Sequence, residues 1–484
     1  MKPIKLFWIS WLFLPGLLTR SLADDALHAG FLYDEFPLTL DSGYRTEALG
    51  PFFYFEEKET RKTWAVPPLL SHSFDPATES EEFDFVYPIL TYARFGAEYR
   101  WQLMQVLSFS GGKDPDDAPR DRFTLFPLYF QQRSTKPQEN YTAFFPIYGD
   151  IKNRFWHDDI FFVLFPLYSK TRKADVVTRN YLYPIFDVRH GNALNGWQFW
   201  PLYGEEHKTP TTRTNGFGDV QIVGGHDNFF ALWPIFFNDR TGIGTDNPQH
   251  QQAALPFYSY LRSPQRDSTT VIWPLFNYID DREKKYHEWE MPWPIIVFAR
   301  GEGKTTSRVF PFFSQSQSTN LESDFYLWPI YKYNRVHSDP LDRERTRILF
   351  FLYSDVREKN TETDLAIHRV DFFPFYTYRR DFNGKSRLQI FAILEPFLPN
   401  NTRIERDYSP LWSVWRSEKN PESGASSQSL LWNLYRHESA PSAKKCSLLF
   451  GLFQYQSNPE GKRVRLFYIP VVKTKKSAAG GETK

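Results

Sequence analysis

Four aspartates, Asp114, Asp116, Asp117 and Asp121, crowd one short stretch of the chain. Several carboxylates on one turn are a ligand set that a calcium ion takes, but the same crowding makes an ordinary solvated connection, which is the reading we adopt. His157-Asp158-Asp159 and His226-Asp227 could each supply a metal ligand or an acid–base pair. The eleven histidines are scattered, however, and no His-Glu-x-x-His spacing puts two of them on one side of a metal. Gly301-Glu302-Gly303-Lys304-Thr305 has the end of a phosphate-binding loop, yet that loop needs a glycine where Phe298 stands. Gly242-Ile243-Gly244 lacks the third glycine of a dinucleotide fingerprint. Cys446 follows Lys444 and Lys445 and is the only cysteine, so it can form neither an intrachain disulfide nor a cysteine metal cluster. Glu56, Glu57 and Glu59 sit in a turn-like segment without a defined partner. From these residues we expect a protein that is not an enzyme and has no cofactor or metal centre.

What does recur is a packing unit. It reads Phe126-Pro127-Leu128-Tyr129, Phe145-Pro146-Ile147-Tyr148, Phe165-Pro166-Leu167-Tyr168, Tyr183-Pro184-Ile185-Phe186 and Trp200-Pro201-Leu202-Tyr203. It returns as Trp233-Pro234-Ile235-Phe236, Trp273-Pro274-Leu275-Phe276, Trp328-Pro329-Ile330-Tyr331 and Phe373-Pro374-Phe375-Tyr376. From Pro127 to Pro201 the prolines step by 19, 20, 18 and 17 residues. A fixed period of this kind marks a repeat architecture, with roughly twenty-two units once copies lacking the proline are included. A proline in every unit argues against helix, and the one polar turn signal per period suggests one strand per period. The expectation is therefore an all-β chain: a long antiparallel up-and-down meander of about 22 strands. Each proline would lie mid-strand in a local bulge, and both faces would be apolar there. Leu167, Ile235 and Ile330 would then be dry.

Composition agrees with strands. Aromatic residues make up 18% of the chain, with 46 Phe, 27 Tyr and 15 Trp, and such side chains pack well on a pleated surface. Lys and Arg number 58 against 57 Asp and Glu, which removes the basic surface that nucleic acid requires. Residues 1–23 read as a secretory signal: Lys2 and Lys5, an apolar stretch from Leu6 to Leu18, and small residues at Ser21 and Ala23. Export without disulfides suits a bacterial envelope. We divide the remainder into a less regular β segment, 24–120, the aromatic-proline repeats continuous with it, 121–471, and a polar tail, 472–484.

A signal segment followed by about twenty meander strands resembles bacterial outer-membrane β-barrels. The tandem Trp/Phe-Pro-Ile/Leu-Tyr/Phe copies resemble uncharacterised repeat proteins of bacterial envelopes. The resemblance implies a large closed barrel in the outer membrane with lipid as its partner, and a structural, pore or lipid-handling role; it brings no functional residues. The chain departs from that pattern in its mid-strand aromatics, its lack of a polar lumen face and its polar ending. Two other architectures fit the repeat. One is a propeller or stacked-sheet array, acting as a soluble periplasmic or secreted binding module. The other is a trough with an apolar interior for lipid chains. The longer interruption from Thr209 to Phe229 is where a partner contact is expected, because insertions into repeats carry function.

Overall fold

A computed structural model describes residues 30–112 and 119–475 of the chain. The proposed signal, residues 476–484 of the tail, and Asp114, Asp116 and Asp117 lie outside the described residues. Forty-three strands form one antiparallel sheet, and two more form a separate hairpin. Successive strands pair in chain order, so the all-β meander expected from the repeat is present. The strand count is not: it is twice the expected number.

The reason is where the proline sits. Arg120–Leu125 pairs with Tyr129–Ser134, and Phe126-Pro127-Leu128 is the turn between them. One period is thus a hairpin: a strand of about six residues, an aromatic-proline turn, a second strand and a polar turn. Proline has no N–H for a ladder, and in a sheet of paired neighbours it is excluded from strand interiors. In the turn that loss has no consequence. Among the described residues the only register shifts in the sheet fall at Gly225/His226 and Val464/Arg465, so the row of proline bulges expected from the sequence is replaced by a row of turns.

These turns are closed and joined. Within one, the N–H of Leu167 donates to the carbonyl of Leu164 (2.8 Å). Between neighbours, the N–H of Leu182 donates to Leu167 O (2.7 Å), and that of Tyr183 to Pro166 O (2.7 Å). The second of these links repeats from Trp233 to Pro201, from Trp273 to Pro256 and from Trp328 to Pro311. The proline carbonyl therefore accepts from the aromatic residue of the next turn. This satisfies backbone groups that would otherwise be left open at the sheet edge. All aromatic-proline turns lie along one edge, and the polar turns, such as 174–175, 282–285 and 459–460, lie along the other.

The two faces differ, because side chains alternate along each strand. Next to the aromatic-proline turns one face carries Tyr168, Tyr181, Phe186, Phe199 and Tyr203, each directly opposite the next in register. The other face carries Ser169, Asn180, Asp187, Gln198 and Gly204 in an equally continuous file. Ser314, Ser354, Asp371, Thr377 and Gln389 continue that file and are buried. The expected two apolar faces are thus one aromatic face and one small, polar face. An exception is the local core of Phe130, Tyr141, Ala143, Ile151 and Phe162, which replaces the polar file over a few strands.

The strand Ile469–Lys475 carries the sheet into the segment expected to be a polar tail. Among the described residues no ladder joins it to the first strand, Asp34–Pro37. The two ends nevertheless meet. Phe31 packs edge-on against Phe450 (5.4 Å), Phe52 against Trp432 (5.3 Å), and the Arg436 guanidinium covers the Phe36 ring (3.4 Å). Thr39 Oγ1 donates to Ser427 Oγ, 388 residues away. Two short helices interrupt the late strands, α1 (Thr402–Asp407) and α2 (Ser409–Trp412). Asn401 caps α1, its side chain accepting from the N–H groups of Arg403 and Ile404. This helical segment fills the space between the early strands 53–85 and the late strands 376–420.

Candidate functional site: the aromatic-proline edge

The residues singled out in the sequence occupy two levels. Phe126, Pro127, Phe145, Pro146, Phe165, Pro166, Trp200, Pro201, Trp233, Pro234, Trp273, Pro274, Trp328, Pro329, Phe373 and Pro374 are all in turns at one edge of the sheet. Tyr129, Tyr148, Tyr168, Tyr331 and Tyr376 each open the strand that follows.

The pre-proline rings of successive turns touch and form a file along the edge. Centroids are 5.3 Å apart for Phe145 and Phe165, 5.6 Å for Phe165 and Tyr183, 5.9 Å for Trp200 and Trp233, and 5.5 Å for Phe310 and Trp328. One level down, Tyr168 and Tyr181 (5.3 Å) and Tyr181 and Phe186 (5.7 Å) form a second file on the aromatic face. Such offset and tilted pairs are favourable ring arrangements and stiffen the edge.

This edge is open. Leu167 is 53% exposed and Trp233 51%, and Ile235 and Ile330 are also exposed. The expectation that Leu167, Ile235 and Ile330 are mid-strand and dry is therefore incorrect: they sit at turn tips. A soluble monomer seldom shows a contiguous apolar patch beyond a few hundred Å². Half-exposed large side chains leave on the order of 100 Å² each, so a row of such turns amounts to thousands of Å².

The opposite edge is mainly polar but carries exposed apolar residues as well: Phe95 is 67% exposed, Trp156 89% and Phe217 95%. From the apolar tips to the polar turns a strand such as Tyr168–Lys173 rises about 20 Å. Its side chains grade from Tyr168 to Arg172 and Lys173. The aromatic part occupies only the third nearest the turn.

Among the described residues, the other candidates do not assemble into a site. Asp159 is held between Lys152 Nζ (3.1 Å) and Arg172, and although burial works in the other direction, these cations hold its carboxyl below its ordinary range. His157 Nδ1 lies 2.8 Å from its neighbour's carbonyl, Phe155 O. Cys446 is half-buried on Ala443–Leu448, and burial pushes its thiol up, away from a reactive thiolate. Gly301 ends one strand and Lys304 begins the next, so that segment is a turn. Among the described residues no group of three or more His, Cys, Asp or Glu is placed to hold a metal ion.

No protein-family model matches the chain, and no curated protein matches it.

One feature lay beyond the sequence reading. On the aromatic face a groove of about 1100 Å³ runs over the strands Val176–Tyr181 to Phe236–Ile243, with Trp197, Glu205, His207 and Asp227 in its lining. Its only signal in the sequence is the interruption expected from Thr209 to Phe229, which the structure confines to 209–224 because residues 225–229 already belong to a strand of the sheet. The strands Tyr203–Lys208 and Gly225–Ala231 pair directly with each other across that interruption.

Proposed function

We propose that the chain is a non-catalytic envelope protein whose wall meets a membrane from one side, with the aromatic-proline edge dipped into a single lipid leaflet. One observation carries this reading: successive aromatic-proline turns each expose a large apolar side chain, among them Leu128, Ile147, Leu167, Leu202, Ile235 and Ile330, and these lie at the same edge. A spanning strand needs about 9–11 residues of matched polarity, whereas the apolar part here is a turn plus the first residues of a short strand. Such a wall suits insertion to a depth on the order of 10 Å, as interfacial structures do. Rings of Trp and Tyr are the side chains favoured at that level.

The wall itself is barrel-like. The contacts between its ends pair early and late strands in mirror order, as they are paired on either side of a seam. The ends meet through face packing and the α1–α2 segment, and among the described residues no edge-to-edge ladder joins them. The small, polar file next to the apolar edge argues against an apolar trough for lipid tails. The role that fits is structural or lipid-organising, in the outer membrane of a bacterial envelope.

Vesicle flotation tests the reading. The full mature chain is expected to float with vesicles of phosphatidylethanolamine and phosphatidylglycerol. A Leu167→Asp, Leu202→Asp, Ile235→Asp triple variant is expected to stay at the bottom while keeping its β-sheet circular dichroism. Equal flotation of a folded triple variant, or no flotation of the parent chain, contradicts the proposal.

A further inference from the structure

The large groove on the aromatic face belongs neither to the lipid-facing edge nor to the seam. Its floor is built around one carboxylate. Trp197 Nε1 donates to Glu205 Oε1 (2.8 Å) and Tyr203 OH donates to Glu205 Oε2 (3.0 Å). The two rings so held stack on each other at 5.2 Å and 28°, and Phe229 abuts Tyr203 edge-on at 5.2 Å. Trp197 remains 39% exposed. The result is a fixed aromatic platform on adjacent strands, oriented before any ligand arrives.

Around the platform stand polar groups that the protein leaves unused. The side chains of Arg179, His190, Asn195 and Arg240 line the groove and have no hydrogen-bond or ion-pair partner among the described residues. Other groups are already engaged: His207 with Asp227, and Glu206 with Arg189 (3.1 Å) and His226 (2.7 Å). Arg179, Arg189 and Arg240 balance Glu205, Glu206 and Asp227, so the lining has no formal net charge with His neutral. A site for nucleic acid or another polyanion would be basic. A site for an apolar peptide would not place donors around its rim.

The position of the groove adds a second, separate argument. Among the described residues the meander is interrupted at its polar edge by one hairpin, Thr211–Thr214 with Val220–Val223, whose tip residue Phe217 is 95% exposed. The strands on either side of that hairpin are the ones that bring Glu205, His207, Asp227 and Phe229 to the groove. A departure from the repeat thus falls on the strands that build the platform.

We infer that this groove binds an uncharged oligosaccharide chain. Sugar rings have flat C–H faces that settle on aromatic rings, and hydroxyl groups that take up planar donors and acceptors of the kinds found here. Six strands at about 4.8 Å spacing give a groove on the order of 25 Å across, enough for several hexose units.

Isothermal titration of the full mature chain in detergent tests the inference, with maltohexaose, cellohexaose and chitohexaose as neutral probes and hexagalacturonate as the acidic one. We expect at least one neutral hexamer to bind with Kd near or below about 1 mM. Trp197→Ala should weaken it at least about tenfold, and Trp289→Ala, on the same face outside the groove, should leave it unchanged. Glu205→Gln, which keeps the shape of the floor, serves if Trp197→Ala does not fold, and should also weaken binding. No binding of any neutral hexamer, binding of the acidic hexamer alone, or binding unaffected by both groove variants overturns the inference. Flotation is read separately, so failure here leaves the lipid proposal standing.

Discussion

Arg406 Nη1 lies 2.9 Å from Glu82 Oε2, while its other terminal nitrogen reaches Asp84; α1 thereby ties the early strand Ser80–Phe85 to the end of the repeat array. On the other side of the same helix, Glu405 accepts from Arg379 (2.7 Å) and Arg387 (2.9 Å) on late strands. Tyr54 OH donates to the Arg406 carbonyl (3.0 Å), and Tyr408 OH to that of Tyr87. The helix is a wedge with opposite charges facing two walls. Removing one member of a buried pair leaves the other uncompensated, at a cost of about 3–5 kcal/mol. Arg406→Ala is expected to lower the urea midpoint accordingly and to make the two ends of the chain accessible to protease, whereas unchanged stability would remove the wedge from the account.

Asp84 makes the seam sensitive to pH. Burial raises its carboxyl to about 6, although Arg403 and Arg406 act to lower it. A carboxyl whose folded value lies above its unfolded one binds its proton more tightly in the folded state. Its contribution is therefore largest in acid and is lost as pH rises from about 4 through about 6. Asp84→Asn should flatten the stability profile across that window, measured by urea denaturation; an unchanged slope would contradict the assignment.

Glu418 works in the opposite sense. Burial would raise its carboxyl, but Arg416 (2.8 Å) and Arg387 (3.0 Å) override it and hold it at about 2. Its stabilisation is fully present above the ordinary carboxylate range and is lost as pH falls from about 4.5 towards 2. Glu418→Gln is expected to destabilise the chain by about 3–5 kcal/mol at neutral pH and to remove this acid limb. Retention of the acid limb in the variant would show that other carboxylates produce it.

Leu164 opens an aromatic-proline turn in the left-handed region, at φ 45°. A residue with a Cβ there is disfavoured by about 1–2 kcal/mol, and glycine is not. Leu164→Gly should therefore raise stability in detergent by about 1 kcal/mol while reducing flotation, because it removes an exposed apolar side chain. A gain in both would mean that Leu164 does not face lipid.

Much of the fold could be read from the sequence, and the part that could not has a physical cause. The period from Pro127 to Pro201 and the polar turns between copies were enough for an antiparallel meander. The doubling of strands was also within reach, since a residue without an N–H fits poorly at the centre of a ladder; Pro166 belongs in a turn for that reason. Placing the proline mid-strand led to a wrong face assignment and made Leu167 dry when it is exposed. The seam was out of reach, because nothing in a single sequence links Thr39 to Ser427 or Arg406 to Asp84. The groove left only the interruption after Lys208; Trp197 and Glu205 lie two strands and one strand away from Gly225–Ala231 and carry no local pattern.

The central claim is that one edge of the wall enters lipid and the other does not. With Cys446→Ser as background, Leu202→Cys at an aromatic-proline turn and Trp156→Cys at the opposite edge can each carry an environment-sensitive nitrobenzoxadiazole label. On binding vesicles, the label at 202 should shift to the blue, brighten and be quenched by lipids brominated near the headgroup, while the label at 156 stays water-like. Water-like emission from position 202, or equal quenching at both positions, would contradict the account.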